Sequence, residues 1–250
     1  MIIEFYASDN YSYVTTDGVS MSITRTLAKA ISNYNRQDSI GSKLRAKRIA
    51  PLLDMIEVVY NEYQFVNIID IGGTEKYWGI IPREYLDKHN VVITIVNLPK
   101  KTVPKDHGHF RFVTADGCDL ADYDDRSFHI AHSNSVIEHV GDWKRMVSFA
   151  KELSRVAPRY FVQTPNYWFP IEPHYMMPFF HWLPKPLRVW LVLNFQLGFF
   201  RKAATIDEAM RMIEGARLLN RKMLQELFQD SNILTERFFL LPKSFVAVKR

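Results

Sequence analysis

Cysteine is nearly absent from this chain: 250 residues hold one, Cys118. A lone thiol excludes an intrachain disulfide and a cysteine-ligated zinc cluster, and it predicts a reducing, cytoplasmic interior. No uncharged apolar run reaches the length that spans a bilayer. The first residues carry Glu4 and Asp9 and lack a basic stretch followed by an apolar one, so no signal peptide is expected. Internal repeats and low-complexity segments are missing. So are the G-x-G-x-x-G spacing of dinucleotide sites and the Lys-Ser/Thr that closes a P-loop, which excludes both of those phosphate cradles. No H-x-x-x-H pair or carboxylate cluster fixes a metal site, so no metal ligand is assigned and dependence on a divalent ion stays open. Lys plus Arg number 32 against 27 Asp plus Glu, a net charge of +5. That mild excess favours an anionic surface or substrate and falls short of the basic bias of a nucleic-acid binder.

What the chain does have is organised around residues 66–79. Val66, Ile68, Ile69 and Ile71 form a short β-branched run that suits a strand buried on both faces. Gly72 and Gly73 end it, allowing a sharp turn and close approach of a ligand to bare backbone. Asp70 stands near the strand's carboxyl end, where open α/β sheets bind ligands. Glu75 in the turn is a poor companion for a pyrophosphate and a tolerable one for a cation.

The remaining elements alternate. Residues 43–63 place Ile49, Leu52, Leu53, Ile56, Val59 and Tyr60 at helical spacing, behind a basic cluster that reads as a solvated face. Residues 80–88 read as helix, 91–97 and 110–113 as strands, and 128–133 as another strand. An amphipathic helix over 139–156 ends before Pro158, and 159–165 is a fifth strand. Residues 206–229 return to helix, and 233–240 and 244–248 are closing strands. Strands separated by helices predict an α/β fold with a mostly parallel sheet covered on both faces. Residues 1–42 are expected to be an N-terminal arm with a short helix at 21–35, and 1–250 a single domain. Residues 166–205 break the alternation with prolines and a dense aromatic set, which predicts an inserted helical cap.

The hydrophobic-hydrophobic-Asp-x-Gly-Gly run ending in Asp70, Gly72 and Gly73 resembles the first motif of class I S-adenosylmethionine-dependent methyltransferases. Ala115-Asp116-Gly117 after the third strand and Ile137-Glu138-His139-Val140 after the fourth resemble later motifs of that family, in the same order and across about residues 65–165. The subset most similar acts on small molecules, including sugars and envelope glycans. The resemblance implies a Rossmann-like seven-stranded sheet with an antiparallel last strand, and S-adenosylmethionine as cofactor. It implies cofactor contacts from Asp70, Gly72, Gly73, Asn97, Asp116, Gly117 and Ser133. Asn97 departs from the family, which usually has an acidic residue there to hold both ribose hydroxyls. Its amide can still accept from one and donate to the other, although a turn before Pro99 also explains it. For Asp116 the family role is the adenine amino group, against a plain Asp-Gly turn.

Methyl transfer to a hydroxyl needs an acceptor in line with the methyl group and a base for its proton. His139 is the first candidate, since imidazole titrates near neutrality. His174 is the second, while His132 and His181 rank lower. Glu138 borders the reacting groups, and Glu172 is expected to orient a histidine or bind an acceptor hydroxyl. In the cap, Tyr167, Trp168 and Tyr175 are the expected substrate contacts, whereas simple packing accounts for most of its aromatics. The expected acceptor is a small molecule, a carbohydrate in particular, without nucleic acid or a transmembrane segment. Trp190 to Phe200 offers at most a peripheral membrane contact. The competing reading is a non-catalytic cofactor-binding or scaffold partner in an envelope-polysaccharide assembly complex.

Overall fold

The computed structural model describes residues 40–99 and 102–250, with side chains from Arg48 onward. The arm at 1–39 and its expected helix at 21–35 lie outside the described residues. In chain order the elements are α1 (Ile40–Tyr63), β1 (Val66–Ile71), α2 (Glu75–Trp78), α3 (Arg83–Lys88), β2 (Val91–Asn97), β3 (Phe110–Thr114) and β4 (Ile130–Asn134). After a 3-10 turn at Ile137–His139 come α4 (Trp143–Val156), β5 (Arg159–Pro165), β6 (Ile171–Glu172) and β7 (Met177–Pro178). A second 3-10 turn, Phe180–Trp182, precedes α5 (Lys185–Asn194), α6 (Ile206–Glu214), α7 (Arg221–Leu227), β8 (Asn232–Phe238) and β9 (Leu241–Lys249).

The main sheet has seven strands in the order β3-β2-β1-β4-β5-β9-β8. β1 to β5 run parallel, and β9 enters antiparallel between β5 and β8. This is the expected Rossmann-like, mostly parallel seven-stranded sheet with an antiparallel last strand. The order reverses beside β1, between its links to β2 and to β4, so a crevice opens at the carboxyl ends there.

Alternation along β1 explains why a nearly uninterrupted apolar run was needed. Val66 and Ile68 enter one core with Leu52, Ile56, Trp78 and Ile93, under α1. Ile69 and Ile71 enter the other with Phe149, Leu153 and Leu224, under α4 and α7. Burying each such side chain contributes about 1.5–3 kcal/mol.

Three differences from the sequence reading change how the elements meet. The helix expected over 139–156 begins at Trp143, because Gly141 turns at φ 120° and the Asp142 carboxylate caps the Arg145 amide. The helix expected over 206–229 is two helices, since Asn220 caps a new start by accepting from the Met223 amide. The cap is only partly helical: a two-stranded β6–β7 hairpin precedes α5. Its own core joins Tyr175, Phe180, Val192 and Phe200 to Ala209, Met212 and Ile213 of α6, so the packed unit runs on past residue 205.

Gly117 sits where the loop after β3 presses on the underside of β1. A Cβ there would lie 2.4 Å from Ile71 Cγ2 and 3.1 Å from Phe149. Gly117→Ala is therefore expected to cost about 1–3 kcal/mol through overpacking. Urea unfolding measures this, and an unchanged midpoint would show that the loop yields freely.

Candidate functional site

The turn after β1 is built on a buried carboxylate. Asp70 and His132 are register partners on adjacent parallel strands, so their side chains emerge side by side on one face. His132 Nδ1 donates to Asp70 Oδ1 at 2.6 Å, and Trp78 Nε1 donates to Oδ2 at 2.7 Å. All three are essentially shut off from solvent. The carboxylate fills the space that a side chain at position 73 would take, since a Cβ on Gly73 would lie 1.7 Å from Asp70 Oδ2. Gly72 is required for a different reason: its φ of 71° is left-handed, with its amide donating to Val96 O. The Ser133 hydroxyl completes the frame by donating to Ile71 O at 3.1 Å.

Beside this turn lies a cavity of about 440 Å³ at the carboxyl ends of β1, β2 and β3. Gly73, Thr74, Asn97, Leu98, Phe112 and Thr114 contribute to its wall. Its volume suits a nucleoside-sized ligand. Asn97 Nδ2 donates to Gly73 O at 3.0 Å, tying the end of β2 to the glycine turn. One of its two amide N–H groups is thus committed to the protein.

A second cluster forms where the cap meets the loop after β4. His174 Nδ1 lies 2.5 Å from Glu172 Oε1, and His174 Nε2 lies 3.1 Å from His139 Nε2. His139 Nδ1 lies 2.8 Å from the Gly215 carbonyl, which can only accept, so this nitrogen carries a hydrogen. The Glu172 carboxylate also accepts the backbone amides of His174 and Tyr175. Both Nδ1 atoms are donors, and one proton is left for the two facing Nε2 atoms. Burial pushes His139 down to about 3, and the charge on His174 adds to the effect. Burial works against a charge on His174 as well, but the Glu172 carboxylate more than offsets it and raises its proton affinity. For Glu172, burial is likewise outweighed by His174, and its carboxyl is held below the usual range. The shared proton therefore resides on His174. Behind the pair, Glu138 is 0% exposed and accepts from Thr164 Oγ1 at 3.0 Å, and its Oε1 has no hydrogen-bond partner among the described residues. Burial pushes its carboxyl up to about 7.

Several expected contacts are placed elsewhere. Asp116 and Gly117 do not line the cavity. Arg145 of α4 clamps Asp116 Oδ2 at 2.7 Å while Oδ1 accepts the Cys118 amide. Burial opposes ionisation of Asp116, yet the Arg145 hydrogen bond and the Cys118 amide bring its carboxyl below the usual range. Asp70 and Ser133 are enclosed behind the turn, where they shape it without facing the cavity. Glu138 and Glu172 are sealed from any acceptor, and of the four clustered side chains only His139 is partly exposed. Tyr175 belongs to the cap core, its ring 4.1 Å from that of Phe180, and is not open to a substrate. Tyr167 is half-buried, and Trp168 is 62% exposed. No group of His, Cys, Asp or Glu able to hold a metal occurs among the described residues.

Sequence reasoning missed Trp78, Arg145, Thr164 and the Gly215 carbonyl. Assuming adjacent β1 and β4 would have aligned His132 with Asp70. The other four come from the end of β5, from two helices and from the turn after α6, whose approach no local spacing records.

No protein-family model matches the chain, and no curated protein matches it. Solved structures are similar at low identity. An O-methyltransferase family protein from Burkholderia thailandensis matches with TM-score 0.46 and 12% identity, over 92% of this chain and 64% of that one. The chain thus spans under two-thirds of that protein's resolved length. A magnesium protoporphyrin IX methyltransferase from Synechocystis PCC 6803, solved with S-adenosylhomocysteine, matches at TM-score 0.46 and 10% identity over 91% and 96% of the two chains. A 1,6-didemethyltoxoflavin-N1-methyltransferase from Burkholderia thailandensis matches at TM-score 0.43 and 13% identity over 98% and 97%.

Two stability measurements check this geometry. Asp70→Asn leaves one of the two donors, Trp78 or His132, facing an amide nitrogen in the dry interior. The expected cost is about 3–5 kcal/mol in urea unfolding, and a loss under about 1 kcal/mol would refute the arrangement. Glu138→Gln isolates a pH effect. The raised carboxyl is stabilising while protonated, and that contribution is lost as pH rises from the ordinary 4.5 through about 7. The variant's stability relative to the parent should therefore climb by about 3 kcal/mol across that window. A difference independent of pH would show that Glu138 is not buried as described.

Proposed function

We propose that the chain is an S-adenosylmethionine-dependent methyltransferase that methylates a hydroxyl of a small molecule, with a carbohydrate as acceptor. The observation that carries the reading is the cavity over the glycine turn at the carboxyl ends of β1 to β3, with a largely buried histidine pair following β4 and β5 at the same end of the sheet. The residues present suit an adenosyl group in volume and in their lack of a phosphate cradle. The backbone at Gly73 and the side-chain amide oxygen of Asn97 would hold its ribose end, and Leu98 and Phe112 would pack on its base. When bound, the cofactor supplies an electrophilic methyl group.

The chain's own contribution is to position the acceptor and take its proton. His139, the partly exposed member of the cluster, is the group that touches the acceptor. With the pair deprotonated, two Nε2 lone pairs face each other at 3.1 Å. Receiving the hydroxyl proton relieves that repulsion, and the Glu172 carboxylate stabilises the imidazolium that results. The base is thus the coupled pair, with one macroscopic affinity. Trp168, whose indole is exposed beside Tyr167, offers a flat apolar face for a sugar ring.

A second reading has its own support. Arg145 occupies the Asp116 carboxylate, and no acid ends β2, which suits a non-catalytic scaffold protein.

Calorimetry with S-adenosylmethionine, followed by labelled methyl transfer to a panel of mono- and oligosaccharides, separates the two. Binding and transfer are expected. His139→Gln should lower kcat by about 10²–10⁴ while leaving cofactor affinity unchanged. The parent's kcat should fall toward acid with an apparent pKa above the ordinary imidazole value of 6.5, because Glu172 raises the pair's proton affinity. Glu172→Gln should shift that limb to lower pH. No cofactor binding selects the scaffold reading, and transfer only to amines or carboxylates removes the carbohydrate.

A further inference from the structure

The tip of the β8–β9 hairpin exposes apolar residues where a soluble turn would carry polar ones. Phe239 and Leu240 are each 86% exposed, and Leu241 follows at 50%. Phe239 adopts a left-handed φ of 53°, a conformation that favours glycine or asparagine, so a bulky aromatic is held there against local preference. The tip continues into the cap through rings: Phe238 meets Phe169 at 6.4 Å, and the neighbouring Trp168 meets Trp182 at 6.2 Å. Asn166 fixes this junction by donating its side-chain amide to the Pro242 carbonyl and its backbone amide to the Lys243 carbonyl.

Charge and position narrow the partner. Arg237, exposed and donating to the Leu240 carbonyl, and the half-buried Lys243 flank the tip, and the nearby Glu236 carboxylate turns inward to Ser244 and Arg48. The exposed end is thus apolar with a basic collar. A second copy would set like charges against each other, whereas an anionic lipid surface complements the collar and receives the apolar tip. Pro165, the carboxyl end of β5, pairs with Ser244, so the hairpin projects from the same end of the sheet as His139 and the cavity. We infer that residues 238–241 insert into an anionic membrane surface and hold the site facing it. The docking itself needs no cofactor; its bearing on the acceptor, a headgroup or lipid-linked sugar, rests on the function proposed above.

Sedimentation with phosphatidylcholine vesicles, with and without phosphatidylglycerol, tests the inference on the full chain. The protein should pellet with anionic vesicles, less with neutral ones, and less at high salt. The F239S/L240S double substitution should reduce the partition coefficient about a hundredfold at an unchanged melting temperature. Failure of the parent to pellet with anionic vesicles, or equal pelleting of the variant, overturns the proposal. So does a parent dimer that the substitution splits without any vesicle binding. Because neither turnover nor cofactor enters the readout, a negative result leaves the methyltransferase reading standing, and absence of methyl transfer leaves the docking result standing.

Discussion

The Asp70 carboxylate is the constraint from which the rest of this site descends. A charge at 0% exposure is tolerable only with its lone pairs satisfied. Two donors, Trp78 from α2 and His132 from β4, converge on it. The chain must therefore turn sharply enough after β1 to return an indole eight residues later. Gly72 permits the turn by its left-handed conformation, and Gly73 permits it by having no side chain where the carboxylate lies. The cavity exists because this turn is held open and rigid, with Asn97 anchoring its outer edge. The glycines that would be read as making room for a ligand make room first for Asp70.

A second buried charge system fixes the cap. Glu172 and His174 lie on the β6–β7 hairpin and its connection, His139 follows β4, and the Gly215 carbonyl follows α6. Three separate stretches of chain are thus joined through two Nδ1–H donors, one shared Nε2 proton and one carboxylate. Glu138 sits behind them with a carboxyl whose proton affinity is raised by burial. Adding a second full negative charge beside Glu172 would be costly there, so the two carboxyls divide into one ionised and one that holds its proton well above the usual carboxylate range. That division is what allows four titratable side chains to share a nearly dry space.

The sheet was legible because its central strands are buried on both faces, and β-branched runs such as residues 91–96, or Val66–Ile71 broken by Asn67 and Asp70, announce that directly. The glycine turn and the order of the motifs were legible for the same local reason. The roles of the motif residues were not. Asp70, Ser133 and Glu138 were expected to face ligands, and each is enclosed by the protein, as is Glu172, which takes the histidine-orienting alternative of its two expected roles by binding His174 Nδ1. A sequence records that a carboxylate is present but not which helix arrives to cover it, and Arg145 over Asp116 is the clearest case. The cap misled in another way: its aromatics look alike in sequence, yet Tyr175 packs inside against Phe180 while Trp168 stands outside. Only the hairpin and the left-handed turns at Met176 and Phe179 decide which way each ring points.

The antiparallel entry of β9 explains why these features share one end of the molecule. Parallel strands β1 to β5 send all of their carboxyl ends to the same side, where the cavity and the histidine pair lie. A strand running the same way next to β5 would have carried its own turn to the opposite side. Because β9 runs against β5, the β8–β9 tip emerges beside Pro165 instead. The cap that follows β5 then has a neighbour to pack on, through Asn166 and Phe169. One reversal of strand direction thereby brings the cavity, the proton-sharing histidines and the apolar tip to a single working face, a convergence that residue spacing along the chain does not reveal.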